Sequence, residues 1–319
     1  MSANRSDNDS ANANANENTS DAAAAALLVD AKCELGEGAT WCARSGRLYW
    51  TDIEGKRLWR YDAREGKHVT WEMPERLGCF ALCEDARTLL LGLESRLAFF
   101  DLETGVVDTI VEVEPGVPTR LNDGRCDRQG RFVFGTKYEA TPMQAIGGFY
   151  RLNRDLTLER LPLPAPAISN SIAFSPDGST MYYCDSLTRK ICACDYNAGG
   201  ADGTIANQRV FATLTDETGV PDGSTVDAEG GLWNAQWGGE RVVRYGVDGV
   251  ETARVKIPTA QPSCVTFGGA LLDMLYVTSA RAEMEPATLA REPHAGGVFA
   301  VRISRAGVVE PLFQGARRA

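Results

Sequence analysis

Histidine is nearly absent from this sequence: only His68 and His294 occur among its 319 residues. Neither accompanies a G-x-S-x-G motif, because the chain has none, so a Ser-His-Asp triad is not indicated. The chain also lacks a Walker loop, an H-E-x-x-H motif and a G-x-G-x-x-G motif after a strand. These absences argue against a nucleotide site and against a histidine-ligated zinc protease site.

Long apolar runs are also missing, since no segment reaches the ~20 apolar residues that a membrane helix needs. The run from Ala22 to Val29 is short and follows acidic and amide residues rather than basic ones, so it is not typical of a signal peptide. Nine irregularly spaced cysteines favour buried, reduced thiols over disulfides. We therefore expect a cytoplasmic protein without membrane contact, either a monomer or a weak homo-oligomer.

The charge balance excludes another class of partner. The formal net charge is −10, whereas nucleic-acid binding depends largely on Lys and Arg that neutralise phosphates. We therefore expect no nucleic-acid partner.

A composition shift divides the chain. Residues 1–25 are rich in Asn, Ala, Ser and Asp and predict a disordered low-complexity tail. Residues 26–319 consist of short strand-like segments separated by Gly, Asp and Asn turns, and we assign them to one domain. A helix is predicted only near Ala282–Arg291, where one or two helical turns fit.

An internal repeat indicates the architecture. Six similar segments recur, and their strands begin near Leu48, Leu89, Phe132, Met181, Leu232 and Leu275. This spacing is typical of four-stranded propeller blades. We therefore predict an all-β fold, a six-bladed β-propeller, whose N-terminal strand near Leu27–Leu35 pairs with the last blade and closes the ring. A two-sheet β-sandwich is the alternative, but its strands rarely repeat at such a long period.

Polar residues precede a core strand in four segments, which are LGEG (Leu35–Gly38), RLNDG (Arg120–Gly124), ISNS (Ile168–Ser171) and PDGS (Pro221–Ser224). In a propeller the innermost strands line one channel, so these segments can meet there. Their carboxylate and amide oxygens, from Glu37, Asn122, Asn170 and Asp222, suit a divalent cation. Each motif alone is also a common turn, and Asp127, Asp177, Asp227 and Asp248 are interpreted as ordinary turn residues.

These segments together resemble the gluconolactonase/regucalcin (senescence marker protein) family over about residues 30–303. The resemblance rests on LGEGATW, RLNDGRCDRQGRFVFGT, ISNSIAFSPDGSTMYYCDS and VPDGSTVDAEGGLWNAQWGGERVVRY. It implies a six-bladed propeller with one divalent cation (Ca²⁺, Zn²⁺, Mg²⁺, Mn²⁺ or Fe²⁺) held by Glu37, Asn170 and Asp222. It also implies that Asp222 is the catalytic acid and base, and that Arg120 and Asn122 contact substrate.

The chain departs from the family pattern at several positions. Ser171 follows the ISN asparagine where Gly is common, and Ala39 follows LGEG where Pro is common. The sequence GTKYEA replaces a segment in which some members carry a Glu pair, so Glu139 remains as the third expected substrate contact and Lys137 alters the pocket. The segment from Ser279 to Val301 is most similar to bacterial pentonolactonases, of the L-arabinolactonase or xylonolactonase type.

The resemblance therefore implies an enzyme, a hydrolase that opens a sugar-acid lactone such as L-arabinono-, xylono- or gluconolactone. Metal-assisted attack of water fits the lack of a covalent nucleophile. Two alternatives stay open at this point. One is a phosphotriester hydrolase on the same scaffold, since a cation that polarises C=O also polarises P=O. The other is a non-catalytic calcium-binding propeller, because fold alone does not set function.

Overall fold

The computed structural model describes residues 25–197, 203–215 and 218–316. Within these ranges the chain forms 24 strands in six four-stranded antiparallel sheets, which confirms the predicted six-bladed propeller. Residues 1–24 of the predicted tail lie outside the described residues. Ala25, the last residue assigned to that tail, is buried at the edge of the sixth blade.

The strands follow the chain in blade order, apart from β1 (Ala26–Val29). The first blade consists of β2 (Gly36–Cys42), β3 (Arg47–Asp52), β4 (Arg57–Asp62) and β5 (Lys67–Glu72). The second consists of β6 (Leu77–Leu82), β7 (Thr88–Leu93), β8 (Arg96–Asp101) and β9 (Val107–Glu112). The third consists of β10 (Thr119–Cys126), β11 (Phe132–Tyr138), β12 (Phe149–Leu152) and β13 (Leu158–Arg160).

The fourth blade consists of β14 (Ser169–Phe174), β15 (Thr180–Asp185), β16 (Lys190–Tyr196) and β17 (Ile205–Thr213). The fifth consists of β18 (Val220–Val226), β19 (Leu232–Trp237), β20 (Arg241–Tyr245) and β21 (Glu251–Lys256). The sixth consists of β22 (Pro262–Gly268), β23 (Met274–Ser279) and β24 (Val298–Arg302), together with β1. Helix α1 (Pro286–Arg291) lies between β23 and β24, inside the segment predicted to be helical. No helix of the described chain has the length and apolar character that a bilayer crossing requires.

The N-terminal strand completes the ring. Strand β1 pairs antiparallel with β24, with Leu27 opposite Phe299, and becomes the outer strand of the sixth blade. The predicted closure is therefore confirmed. The backbone hydrogen bonds between β1 and β24 join the N-terminal and C-terminal parts of the propeller. They give the sixth blade its fourth strand and close the ring.

The core lies between blades. Strands β6, β14 and β22 at the centre are buried throughout, whereas the outer strand β5 is mostly exposed. Trp50 and Trp233 are fully buried, and Trp233 meets Phe267 of the next blade edge to face at 5.7 Å. The nine cysteines are free thiols, as expected, and all are buried except Cys192, which is partly exposed.

Every inner strand contains a register shift near its beginning. The shifts fall between the residue pairs Glu37/Thr40, Leu77/Cys79, Leu121/Gly124, Asn170/Ala173, Pro221/Ser224 and Pro262/Val265. A bulge of this kind re-aims side chains and leaves peptide groups without ladder partners. Because the strands run the same way along the channel, all six bulges lie at one end of it. That end carries the polar segments identified in the sequence.

Candidate active site

A cavity of about 640 Å³ opens at the end of the channel where the bulges lie. Five of the six predicted site residues line it: Glu37 from β2, Arg120 and Asn122 from β10, Asn170 from β14 and Asp222 from β18. They come from four blades, so residues separated by up to 185 positions meet because each begins an inner strand. The volume lies within the range of small-molecule sites.

Two carboxylates in this cavity have no cationic partner. In the described part of the chain, the Asp222 carboxylate accepts no hydrogen bond, and Glu37 accepts only from the backbone N–H of Gly38, at 3.3 Å. Burial, and then the nearby charge of Asp123, raises the pKa of Glu37 to about 8. Burial, followed by the charges of Glu37 and Asp123, also raises the pKa of Asp222 well above its usual range. The cavity therefore holds two buried carboxyl groups whose charged forms are disfavoured and are not stabilised by an ion pair within the described chain.

The Asn170 side chain is held in one orientation. Its Nδ2 donates to Ser186 Oγ at 2.9 Å, and Ser186 in turn donates to the carbonyl of Pro221 at 2.7 Å. The opposite end of the amide, Oδ1, accepts from Asn122 Nδ2 at 3.1 Å. Because the nitrogen is occupied by Ser186, the Asn170 oxygen faces the other polar groups of the cavity.

Arg120 is a buried cation beside these groups. Its side chain is only 1% exposed, and its Nη1 donates to Asn122 Oδ1 at 2.6 Å and to the carbonyl of Leu121 at 3.0 Å. Its Nε donates to Glu139 at 3.2 Å. These hydrogen bonds to Asn122, Leu121 and Glu139 fix the orientation of the Arg120 guanidinium at the cavity.

Glu139, the sixth predicted residue, does not line the cavity. It forms an ion pair with Arg120 and a second ion pair with Arg76, which also contacts Glu94 and Glu54. Its carboxylate therefore lies on the far side of Arg120. The role of Glu139 as a direct substrate contact stays a prediction, and its position supports Arg120 in the present geometry.

Other residues lie at the cavity outside the predicted metal, catalytic and substrate-binding set, among them Lys137, which the sequence predicts to alter the pocket. Lys137, opposite Arg120 in the β10–β11 pairing, lines the cavity, as do Trp237 and Ser186. Burial and the charge of Arg120 lower the pKa of Lys137. Asp123, next to Asn122, lies in the channel and accepts from the backbone N–H of Ile172 at 2.8 Å. The bulge explains the omission of Asp123, because a regular strand would send neighbouring side chains to opposite faces.

The donor set fits a divalent cation. Two carboxylates can neutralise a dication, and the Asn170 oxygen can add a neutral ligand of the type that hard cations accept. Across the described ranges no group of three or more His, Cys, Asp or Glu side chains has metal-binding geometry. A cation at this position therefore depends on amide oxygen as well as on Glu37 and Asp222.

Comparison with known proteins gives consistent results. A family model described as the SMP-30/Gluconolactonase/LRE-like region matches residues 35–281. The chain is 61% identical over 293 residues to an L-arabinolactonase of Azospirillum brasilense, covering 92% of this chain and 96% of that protein. It is 37% identical over 284 residues to a 6-deoxy-6-sulfogluconolactonase of Pseudomonas putida, covering 88% and 95%.

Among solved structures, the chain is similar to a calcium-binding protein, regucalcin, from Agrobacterium tumefaciens. The TM-score is 0.85 with 32% identity, and the match covers 91% of this chain and 97% of that one. At this similarity the whole ring of blades corresponds, including the strands that line the channel.

Proposed function

The chain belongs to the SMP-30/gluconolactonase/LRE-like family, and on that premise we propose that it hydrolyses a sugar-acid lactone to the aldonic acid. The observation that carries the proposal is the meeting of Glu37, Asn170, Asp222, Arg120 and Asn122 in one cavity. These side chains supply a cation site, an acid/base group and hydrogen-bond donors for hydroxyl groups. Each of the three can assist hydrolysis of a lactone by water without a covalent nucleophile.

Glu37, Asn170 and Asp222 are the proposed ligands of one divalent cation. The unneutralised pair of carboxylates and the fixed amide of Asn170 support this assignment. When bound, such a cation supplies Lewis-acid polarisation of the lactone carbonyl. The oxygen-rich donor set is compatible with Ca²⁺, Mg²⁺, Mn²⁺, Zn²⁺ or Fe²⁺, and the similar A. tumefaciens protein is described as calcium-binding.

Asp222 is the proposed acid and base. It takes a proton from the attacking water as the new C–O bond forms, and it returns that proton to the ring oxygen as the ester C–O bond breaks. Its position supports this role, since the residue is 5% exposed and lines the cavity, and its carboxylate makes no hydrogen bond within the described chain.

Arg120 and Asn122 are proposed to orient the sugar ring. The two side chains hydrogen-bond each other at 2.6 Å, so they present a fixed pair of polar groups to substrate hydroxyls. Lys137 and Trp237 also line the cavity. The ammonium of Lys137 can donate to a hydroxyl, and the face of Trp237 can cover the apolar C–H side of the ring.

We propose L-arabinonolactone as the preferred substrate because the Azospirillum L-arabinolactonase shares 61% of its residues with this chain. Xylonolactone and gluconolactone are the next candidates. Cytoplasmic location, a monomeric or weakly oligomeric state, and the lack of nucleic-acid and membrane partners are part of the same proposal. They rest on the charge, cysteine usage and composition of the sequence.

The direct test is a lactone panel run on the purified protein with metal analysis of the same sample. We expect acid release from L-arabinonolactone to exceed that from xylono-, galactono- and gluconolactone, and we expect chelator to abolish it and added cation to restore it. Faster turnover of an aryl phosphotriester than of any lactone would support a phosphotriester hydrolase instead. Cation binding without turnover of either class would indicate a binding protein.

A further inference from the structure

Ser171 has a backbone conformation that serine rarely adopts. It lies at the bulge of β14, is fully buried, and has φ +59°. The left-handed region carries a steric cost for residues with a Cβ atom, which glycine does not incur. The corresponding bulge residue of β2 is Gly38, with φ +63°. Gly38 and Ser171 each follow a proposed cation ligand and share the left-handed conformation, but of these two residues only Ser171 has a side chain.

The hydroxyl of Ser171 makes a contact that glycine could not make. Ser171 Oγ donates to the backbone carbonyl of Asp222, on the neighbouring blade, at 2.7 Å. Asn234 Nδ2 donates to the same carbonyl at 2.9 Å and also to Ser171 Oγ at 3.1 Å. Two side chains from different strands therefore hold this one carbonyl group.

The carbonyl needs such partners because of the bulge. In the β18–β19 ladder Pro221 pairs with Gln236 and the next regular pair is Ser224 with Asn234, so Asp222 lies in the unpaired part of the strand. Without ladder hydrogen bonds, the direction of its side chain depends on what holds its peptide group. Ser171 and Asn234 supply that restraint.

We propose that Ser171 is a positioning residue, whose hydroxyl fixes the peptide group of Asp222 and thereby the direction of its carboxylate. This inference rests on the proposed function of Asp222 and deepens it. The serine is retained in a left-handed conformation because its hydroxyl orients the acid/base group of the next blade. Its effect on the reaction passes through Asp222, since Ser171 itself does not line the cavity.

Two substitutions separate the hydroxyl from the backbone strain. Ser171→Gly removes the hydroxyl and relieves the strain, whereas Ser171→Ala removes the hydroxyl and keeps the strain. We expect kcat for the preferred lactone to fall about tenfold or more in both variants, with KM changed less than about twofold, because misplacing a reacting group lowers the rate of the step it performs. We expect the metal-free Gly variant to melt at a higher temperature than the Ala variant.

Calcium and manganese titration of the metal-free variants provides a readout independent of turnover. Both variants should bind the cation several-fold more weakly than the wild type. The matched control is Tyr196→Phe, which removes another buried hydroxyl of the fourth blade that donates to a neighbouring blade, to the Asp127 carboxylate at 2.8 Å. Neither Tyr196 nor Asp127 lines the cavity, so this control should keep the wild-type kcat and cation affinity.

The outcomes distinguish the two proposals. A wild-type kcat and cation affinity in Ser171→Gly would overturn the positioning role, and so would a loss that follows melting temperature, with Ala impaired and Gly normal. An equal loss of kcat in Tyr196→Phe would show that any inter-blade hydroxyl has the same effect, which also contradicts the proposal. If the wild type hydrolyses no lactone, the proposed function fails. The comparison of cation affinity between the wild type and the two Ser171 variants then decides whether Ser171 orients Asp222.

Discussion

The two ends of β18 carry the same residue type in opposite circumstances. Asp222, near the start of the strand, is 5% exposed and makes no side-chain hydrogen bond within the described chain. Asp227, immediately after the strand, is fully buried and accepts from Arg244 Nε at 2.6 Å and Trp233 Nε1 at 2.8 Å. It also accepts from the backbone N–H of Gly231 at 2.9 Å.

The third blade repeats the well-paired arrangement. Asp127 follows β10 and accepts from Arg131 Nε at 2.6 Å and from the hydroxyl of Tyr196 at 2.8 Å. This fold therefore has the means to neutralise a carboxylate at the end of an inner strand. At the bulge end of the channel it leaves Asp222 and Glu37 without such partners. The difference separates carboxylates that are stabilised by ion pairs between strands from buried carboxyl groups that, as we propose, are left for a cation at a cost in stability.

The largest expected effect comes from Asp222→Asn. Loss of the acid/base group should lower kcat for the preferred lactone about 10³-fold, within the range that general acid–base catalysis contributes. The metal-free variant should be at least as stable as the wild type, because a buried carboxylate without a partner has been removed. Steady-state kinetics and urea unfolding of the same preparation measure both. A variant with wild-type kcat would exclude Asp222 from the mechanism.

Asp227→Asn should give the reverse pattern. Removing one partner of a buried ion pair typically costs about 3–5 kcal/mol. Within the described chain, Arg244 would keep the exposed Glu229 as its ion-pair partner and a hydrogen bond to Thr252. We expect the free energy of unfolding to fall by about 3 kcal/mol while kcat of the folded fraction stays near wild type. If Asp227→Asn lowered kcat as much as Asp222→Asn without a loss of stability, the distinction between the two ends of β18 would be wrong.

A smaller effect is expected when pH is varied in the absence of metal. The pKa of Glu37 is raised from about 4.5 in an unfolded chain to about 8, so the folded protein binds more protons than the unfolded chain across that window. The stability contributed by this group is complete below pH 4.5 and is lost as pH rises towards 8. The melting temperature of the metal-free protein should fall over this range.

Metal should oppose this trend. A cation binds the deprotonated carboxylates and competes with protons, so the rise in melting temperature on adding metal should be greater at pH 8 than at pH 6. Glu37→Gln is the control, and it should flatten both dependences. A metal-free protein whose stability increases from pH 5 to pH 8 by the same amount in the wild type and in Glu37→Gln would contradict the raised pKa.

Much of the fold could be predicted from the sequence because a propeller repeats. The periodic strand starts gave six blades, and the excess strand before Gly36 predicted the closure by β1. Glu37, Asn170 and Asp222 could be proposed as neighbours because equivalent positions of inner strands lie around one axis. Local periodicity and symmetry are sufficient for these steps.

Other features depend on distances that no local pattern contains. Asp127 and Asp227 were interpreted as ordinary turn residues, and each does bond the backbone of its turn, but their buried pairs with Arg131 and Arg244 could not be deduced. The sequence analysis does not predict the bulges, because the register of a strand pair depends on both strands and cannot be deduced from the sequence of one. For the same reason, Glu139 lies behind Arg120 rather than at the cavity surface.

The smallest expected effect concerns Lys137, which lines the cavity and lies opposite Arg120 in the β10–β11 pairing. Lys137→Met keeps the length of the side chain and removes the charge. If the ammonium donates to one substrate hydroxyl, KM for L-arabinonolactone should rise about fivefold with kcat nearly unchanged, since one hydrogen bond contributes about 1 kcal/mol.

Lys137→Arg is the matched control that keeps the charge. Because Lys137 lies beside Asp222 rather than Asp227, neither variant should alter the stability that the paired end of β18 provides. A fall in kcat as large as that of Asp222→Asn would instead place Lys137 in the proton-transfer step.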